Sequence, residues 1–356
     1  MKVIHVSPAS FGAKGLFGGG ERYPLELARY MAKVTPTRLV TFGDESSTER
    51  LGELEVITIG KPWHVRGQSY NPFHPAVLKE LLWADVVHCH QRCVLTSSLS
   101  AAFCRITRRK VFVSDLGGGG WDISAYINTN SWYHKHLHIS KYSQQVYGQA
   151  GMDRAEVIYG GVDTERFSPT DTVPKEPLVV YVGRILSHKG INYLVDAIPE
   201  GLTLEIIGKP YDLNFFNDLQ ESAKGKSVVF RTNCDDQEIV HAYRRAACVV
   251  LPSVYKTVYG KETKVPELLG QTLLEGMACG TAAICTDVAS MPEVVVDDVT
   301  GFVVPPNDSE TLRERLLVLR DNPGRAIEMG KMGRERVLEK FTWPATVENC
   351  LRAYNS

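Results

Sequence analysis

The chain has 356 residues, of which 44% are hydrophobic and 23% are charged, and its formal net charge is −1 at pH 7. This composition is ordinary for a soluble globular protein, and the length favours two domains. The near-zero charge argues against a general nucleic-acid binder. No apolar run reaches the roughly 18 residues that a membrane-spanning helix needs.

The first residues, 1–6, are typical of a strand rather than a signal peptide, because no apolar segment with a cleavage site follows them. We therefore expect a cytoplasmic protein. Eight cysteines are scattered along the chain without a paired C-x-x-C framework, which predicts reduced and mostly buried thiols.

One segment, His88-Cys89-His90, could be taken for a metal site. It lies at the end of a predicted strand, and we expect the alternation of that strand to point its ligands to opposite faces. The sequence therefore predicts no metal site.

In the first half of the chain, strand and helix signals alternate, which predicts a doubly wound parallel α/β sheet. The predicted strands cover 2–7, 38–42, 54–59, 85–88, 110–114, 136–139 and 156–158. The predicted helices cover 21–33, 75–83, 94–105 and 140–149. Ligands of such sheets bind at the carboxyl ends of the strands, so the loops that follow strands are the candidate binding segments.

Glycine-rich segments follow two of these strands. Gly18, Gly19 and Gly20 precede the first helix, and backbone without side chains can approach a phosphate closely there. The alternative is a flexible surface turn, since the spacing is not G-x-G-x-x-G. Asp115 opens a loop, 115–122, that contains four consecutive glycines and could face a second substrate.

Two other loops, 62–70 and 131–136, mix aromatic and polar residues as sugar-binding surfaces do. The second of them could equally be a solvated helix face. The basic stretch 104–110 could contact anionic lipid at a membrane surface, and its alternative interpretation is a solvated surface.

A stretch rich in proline, threonine and charge, 168–177, is the predicted linker between the domains. A second alternating set follows it. The predicted strands cover 178–182, 202–207, 227–230, 248–251, 281–285 and 303–305. The predicted helices cover 191–198, 214–223, 236–246, 310–320, 324–339 and 344–354.

The stretch 266–280 carries two carboxylates in an E-x₇-E pattern, Glu267 and Glu275. Apolar residues at helical spacing predict a helix from near Gly270 to residue 280. The N–H groups at its start, at Gly270, Gln271 and Thr272, could bind a pyrophosphate. Glu275 could then accept hydrogen bonds from ribose hydroxyls and Glu267 from hexose hydroxyls. The alternative is that both are ordinary exposed glutamates.

Several motifs resemble those of the retaining GT-B glycosyltransferases of family 4. Their E-x₇-E motif matches Glu267 and Glu275, and their G-R-x-x-x-x-K-G motif matches 183–190, with Arg184 and Lys189. Their interdomain N-G-V-D-x-x-x-F motif matches 160–167, except that glycine replaces the asparagine, and their G-G-x-E segment matches 18–21.

This resemblance implies a GT-B architecture, with two Rossmann-like doubly wound domains facing across a cleft. Residues 1–168 would form the acceptor-side domain and 169–343 the nucleotide-sugar domain, with a last helix, about 344–356, packed back on the first. It also implies that Gly18–Gly20 contact donor phosphate. Arg184 and Lys189 would neutralise the departing diphosphate. Many relatives carry a histidine near this point, where this chain departs from the family pattern with Asp115-Leu116. Asp115 is the candidate for the acceptor-side catalytic role, and its alternative is a residue that only structures the loop.

The implied reaction is transfer of a hexose, with retention, from a UDP- or GDP-sugar to a hydroxyl of a glycan, lipid or small-metabolite acceptor. No D-x-D motif occurs, so we expect neither a metal nor another cofactor. The alternatives are a nucleotide-sugar epimerase of the same fold and a catalytically inactive nucleotide-sugar-binding subunit. A dinucleotide-dependent oxidoreductase is disfavoured because no G-x-G-x-x-G is present.

Overall fold

A computed structural model describes residues 1–10, 19–117 and 120–356. The chain divides into two compact units. Unit 1 comprises residues 1–161 and 343–356, and unit 2 comprises residues 162–342. The sequence predicts this boundary at 168/169. Instead, Val162 pairs with Thr342, and the ring of Phe167 lies 6.1 Å from that of Tyr243. These contacts attach 162–167 to unit 2.

The strands are β1 (Val3–Ser10), β2 (Thr37–Gly43), β3 (Ser47–Leu51), β4 (Leu54–Gly60), β5 (Trp63–His64), β6 (Pro72–Phe73), β7 (Val86–His90), β8 (Lys110–Ser114), β9 (Lys135–His138), β10 (Ala155–Val157), β11 (Glu176–Val182), β12 (Thr203–Ile207), β13 (Val228–Arg231), β14 (Ala246–Leu251), β15 (Ala282–Thr286) and β16 (Gly301–Val304). The helices are α1 (Gly19–Ala32), α2 (Ala76–Leu81), α3 (Leu95–Ile106), α4 (Lys141–Val146), α5 (Ile191–Ala197), α6 (Leu213–Ser222), α7 (Asp236–Arg245), α8 (Gln271–Ala278), α9 (Met291–Val294), α10 (Ser309–Asp321), α11 (Pro323–Lys340) and α12 (Trp343–Asn355). Single turns of 3₁₀ helix connect some of these elements.

Unit 1 is built on a sheet of order β10-β9-β8-β7-β1-β2-β4-β3. Its neighbouring strands run parallel, except that β3 pairs with β4 in antiparallel fashion. The predicted parallel sheet is confirmed, whereas β3 was not predicted. All five residues of β3 are exposed, so no burial pattern marked that strand in the sequence.

Unit 2 is built on a parallel sheet of order β13-β12-β11-β14-β15-β16. All residues of β15 and nearly all of β14 are buried. Strands covered on both faces read as continuous apolar runs, which explains why the sequence marked them clearly. Because the strands are parallel, their carboxyl ends lie at one edge of the sheet.

The last helix, α12, belongs to unit 1. The Trp343 ring lies 5.3 Å from that of Tyr23 on α1. At the other end of α12, the Tyr354 hydroxyl lies 2.7 Å from His88 Nδ1, and Lys110 Nζ donates to the Tyr354 carbonyl at 2.9 Å. No helix in the described part of the chain combines the length and apolar character that crossing a bilayer requires.

Three buried histidines meet in the centre of the unit 1 sheet. This finding corrects our expectation that the possible metal ligands at 88–90 would point to opposite faces. His88 and His90 are two residues apart on β7, so their side chains share a face, and their rings stack at 4.3 Å. A nitrogen of each lies within 4.8 Å of one on His5. His5 Nδ1 lies 2.8 Å from His90 Nε2, and His88 Nε2 lies 2.9 Å from Ser114 Oγ. These contacts make a hydrogen-bonded core network.

Candidate functional site

The turn after β11 carries the G-R-x-x-x-x-K-G motif. Gly190 ends this turn with φ 65°, and a Cβ there would lie 1.9 Å from the Pro252 carbonyl oxygen. Only glycine combines this left-handed backbone with such a close approach. The motif is thereby held against the segment that follows β14, and Lys189 lies next to that contact.

Lys189 Nζ forms an ion pair with Glu267 Oε1, although the two residues are 78 positions apart. Ser253 Oγ donates to the same oxygen at 2.8 Å, and Lys189 Nζ also lies 3.5 Å from the Pro266 carbonyl oxygen. The two charged side chains are only 11% and 12% exposed. The structure therefore joins the two motifs that the sequence singled out.

Arg184 lies on the same turn as Lys189, but its side chain is exposed rather than buried. Its carbonyl oxygen accepts a hydrogen bond of 2.9 Å from Tyr181 Oη, which fixes the backbone. Its guanidinium lies over the ring of Tyr211 at 5.7 Å. Arg184 therefore presents a planar cation at the surface of unit 2, beside the carboxyl end of β11.

Helix α8 begins within one residue of the predicted position. Gly270 precedes it with φ 79° and no side-chain hydrogen bond at the N-cap, so the positive end of the helix dipole is not covered by a capping side chain. Inside the helix, Glu275 is 8% exposed and accepts a hydrogen bond of 3.1 Å from Tyr243 Oη. Since Glu267 is also largely buried, the view of both as ordinary exposed glutamates is wrong.

The sequence analysis did not identify two polar residues near the Lys189–Glu267 pair, Ser253 and His188. Ser253 follows β14 directly, and a polar residue at the carboxyl end of a buried strand is a signal that could have found it. His188 precedes Lys189, and burial, assisted by the Lys189 charge, lowers the pKa of its imidazole to about 4. It is therefore neutral near pH 7.

In unit 1, Asp115 follows β8 and is 6% exposed. Its carboxylate accepts from Gln91 Nε2 at 3.2 Å and from the Gly117 N–H at 3.3 Å, and Arg92 Nε lies 3.7 Å away. Burial raises the pKa of Asp115 to about 6, against the opposing effect of Arg92. Asp115 thus orders the start of the glycine loop and borders a shallow hollow that has no room for a water molecule. The polar residues lining that hollow are Arg92, Asp115, His136, His138, Tyr147 and Gln149.

The remaining candidate segments have different outcomes. Gly18 lies outside the described residues, while Gly19 and Gly20 begin α1. In the loop 62–70, Trp63 is 70% exposed. The segment 131–136 is not a solvated helix face, because it passes from a 3₁₀ turn into β9 and its Tyr133 is 1% exposed.

Comparison with known proteins identifies the family. Residues 163–336 match the family Glycosyl transferases group 1, and residues 17–166 match Glycosyltransferase Family 4. An α-maltose-1-phosphate synthase of Mycolicibacterium smegmatis is 31% identical over 271 residues, which cover 67% of each chain. The chain belongs to the group 1, family 4 glycosyltransferases. This glycosyltransferase carries Arg184, Lys189, Glu267 and Glu275 within the group 1 match.

Solved structures share the fold of this glycosyltransferase. Sucrose-phosphate synthase from Thermosynechococcus elongatus has a TM-score of 0.76 at 20% identity, covering 100% of this chain and 98% of that one. The Anabaena protein HepE in complex with UDP and glucose has a TM-score of 0.75 at 16% identity, covering 100% and 99%. At these identities the likeness concerns the fold, and it confirms the predicted GT-B class with two Rossmann-like units.

Proposed function

We propose that this glycosyltransferase moves a hexose, with retention of configuration, from a UDP- or GDP-sugar to a hydroxyl of an acceptor. The observation that carries the proposal is the Lys189–Glu267 ion pair, which joins the two motifs at the carboxyl ends of the unit 2 strands. Parallel α/β sheets bind ligands at this edge. The HepE structure, of the same fold, holds UDP and glucose.

The charges of unit 2 suit a diphosphate leaving group. An ammonium has three N–H donors, and Lys189 directs two of them at Glu267 and the Pro266 carbonyl. The third can bind a phosphate oxygen, and the exposed Arg184 can bind another through its planar fork. The N-terminus of α8 adds N–H groups and a positive dipole end. Together these groups would stabilise the charge that develops as the diphosphate departs.

The two glutamates suit the two sugars of such a donor. Glu275 lies inside α8, beyond its phosphate-binding end, where its carboxylate can accept from ribose hydroxyls. Glu267 precedes the helix, and its carboxylate can accept from the hexose. Retention would follow if the acceptor hydroxyl attacks on the face that the diphosphate leaves, with the departing phosphate accepting its proton. Asp115 is the proposed acceptor-side group.

Two measurements test the proposal. Thermal unfolding should shift upward with UDP or GDP, because a ligand that binds the folded state stabilises it. Lys189→Gln should abolish most of that shift, whereas Lys224→Gln, the same change at a lysine whose side chain is 71% exposed, should retain it. Nucleotide-sugars should then be consumed in an acceptor-dependent reaction. Acceptor-independent isomerisation of the sugar would contradict transfer.

A further inference from the structure

Several arginines lie at the amino edge of the unit 1 sheet. The strands β10, β9, β8 and β7 are adjacent and parallel, so the segments that lead into them meet at this edge. Arg105 lies in the last turn of α3, Arg108 follows that helix and leads into β8, and Arg154 directly precedes β10. Parallel sheets bind ligands at the opposite, carboxyl edge. These arginines therefore lie away from the edge that the proposed reaction uses.

Two of these arginines share one hydrogen-bond acceptor. Arg105 Nη1 donates to the Ser131 carbonyl oxygen at 2.9 Å, and Arg154 Nη1 donates to the same oxygen at 3.3 Å. Arg105, Arg108 and Arg154 are all exposed, and within the described part of the chain none of them forms an ion pair. Like charges held this close repel each other. An anion at this surface would relieve the repulsion.

Exposed apolar side chains lie among the same arginines. Ile106, between Arg105 and Arg108 in the sequence, is 81% exposed, which is the highest value for a large apolar side chain in the described ranges. Met152, two residues before Arg154, is 49% exposed. Single exposed apolar residues are ordinary, but arginines with apolar side chains between them are the combination that binds to the headgroup region of a membrane. We call Arg105, Ile106, Arg108, Met152 and Arg154 the amino-edge patch.

We propose that the amino-edge patch binds the surface of a membrane that contains anionic phospholipids. The guanidinium groups bind lipid phosphates through their planar forks, while Ile106 and Met152 enter the layer beneath the headgroups. The segments 105–108 and 152–154 contain three arginines and one acid, Asp153, whereas the whole chain has a net charge of −1. The positive charge is thus local to this edge, which fits an anionic surface better than a general nucleic-acid partner. The inference goes beyond the proposed function and does not depend on it.

Arg108 offers a substitution that removes charge without disturbing the fold. Its φ is 57°, in the left-handed region that glycine adopts most easily after a helix. The next residue, Arg109, donates its N–H to the Cys104 carbonyl at 2.8 Å, which closes the end of α3. Arg108→Gly therefore keeps the backbone conformation and loses only the cationic side chain. Lys61→Gly is the matched control, because Lys61 is an exposed lysine with φ 50° that follows β4 at the carboxyl edge.

Co-sedimentation of the full chain with lipid vesicles tests the proposal. Vesicles of phosphatidylcholine with about 40% phosphatidylglycerol, an anionic lipid, should bind the protein at least about tenfold more tightly than vesicles of pure phosphatidylcholine, since the attraction grows with each basic residue at such a surface. At about 1 M salt, where the screening length falls to about 3 Å, this difference should disappear.

Substitutions in the patch should weaken binding to the anionic vesicles. Arg105→Gln and Arg108→Gly should each weaken it about fivefold, and Ile106→Ser should weaken it at least about threefold. Lys61→Gly, and Ile327→Ser at an isoleucine on α11 that is 57% exposed, should change it less than about twofold. All variants should keep the wild-type melting temperature and the thermal shift with UDP or GDP. If Arg105→Gln lowers the melting temperature, Arg108→Gly carries the test.

Any of three results would overturn the inference: equal binding to neutral and anionic vesicles, unchanged binding by Arg108→Gly, or equal losses in Arg108→Gly and Lys61→Gly. Binding of single-stranded RNA without binding of vesicles would also overturn it, because the patch would then serve a nucleic-acid partner. Loss of the nucleotide-induced thermal shift with intact vesicle binding would remove the donor assignment and leave this inference in place.

Discussion

Lys189 and Glu267 form an ion pair that is almost closed to solvent in unit 2, with Ser253 donating to the same carboxylate oxygen. The lysine comes from the turn after β11 and the glutamate from the segment before α8. The pair therefore holds together two loops at the carboxyl edge of one sheet. It gives unit 2 a preformed arrangement of charge before any ligand is present.

Breaking this pair from one side should destabilise the protein. Lys189→Met leaves the Glu267 carboxylate buried without its cation, which costs about 3 kcal/mol, whereas Lys189→Met combined with Glu267→Leu should cost less than the sum of the single changes. Urea unfolding of unit 2, monitored with an optical probe placed in that unit, gives the free energies of unfolding that this double-mutant cycle compares. Strictly additive free energies of unfolding would show that the two side chains are not coupled.

Gly190 should be necessary for the placement of Lys189. Gly190→Ala puts a Cβ 1.9 Å from the Pro252 carbonyl oxygen, whereas Gly225→Ala, at a similar φ of 77°, meets nothing within 4 Å. The left-handed backbone alone costs about 1–2 kcal/mol for a non-glycine residue. We expect Gly225→Ala to lose roughly that amount and keep nucleotide affinity, and Gly190→Ala to lose more stability and at least tenfold in affinity. Equal effects at the two glycines would contradict the close approach.

Asp115 should give the acceptor step an acid limb. Burial raises its pKa to about 6, so the carboxylate that is proposed to accept from the acceptor hydroxyl is lost as the pH falls through that value. The kcat/KM for the acceptor should therefore decline below about pH 6, and Asp115→Asn should lower turnover and remove this limb while leaving donor affinity unchanged. A limb that persists in Asp115→Asn belongs to another group.

The same carboxyl should have the opposite effect on stability. A folded-state pKa above the unfolded value of about 4 means that Asp115 stabilises the fold below pH 4 and loses this contribution as the pH rises through about 6. Relative to Asp115→Asn, the wild-type protein should gain about 2–3 kcal/mol in free energy of unfolding between pH 7.5 and pH 4. Parallel curves would show that Asp115 titrates normally.

Transfer should not need a divalent metal. In the proposed binding mode, Lys189, Arg184 and the N-terminus of α8 provide the positive charge that a metal would supply to a diphosphate. Turnover should survive excess EDTA, and the control is EDTA already saturated with Ca²⁺. Elemental analysis of the protein detects any metal that EDTA cannot remove, including metal bound by the buried histidines of unit 1. Lost activity that Mg²⁺ or Mn²⁺ restores would contradict this prediction.

The sequence predicted the sheets well because burial on both faces produces continuous apolar runs. The helix α8 was predicted because Leu273, Leu274, Met277 and Ala278 repeat at helical spacing, and all are buried. Elements without such a pattern were missed, as with the exposed β3 and the two-residue strands β5 and β6. Local spacing carries no signal for elements so short or so exposed.

The sequence predicted which residues form the candidate site, but only part of how they are arranged in space. The motifs named Lys189 and Glu267, but nothing in their separation along the chain predicts a direct ion pair, which depends on strand order. The expectation that the ligands at 88–90 point to opposite faces was wrong for His88 and His90, because residues two apart on a strand point to the same face. The contact between Arg92 and Asp115 depends on the pairing of β7 with β8.

In the proposed binding mode, the two sugars of the donor lie along α8, with the ribose at Glu275 and the hexose at Glu267. Calorimetric titration of Glu275→Ala and Glu267→Ala, each with UDP or GDP and with the intact donor, tests this directly. Glu275→Ala should weaken both ligands by roughly 10- to 100-fold, at about 1.4 kcal/mol per decade, because the ribose is common to both. Glu267→Ala should keep nucleoside diphosphate affinity and weaken only the intact donor or slow its transfer. If folded Glu267→Ala loses the nucleoside diphosphate as severely as Glu275→Ala does, the donor does not lie along α8 in this way.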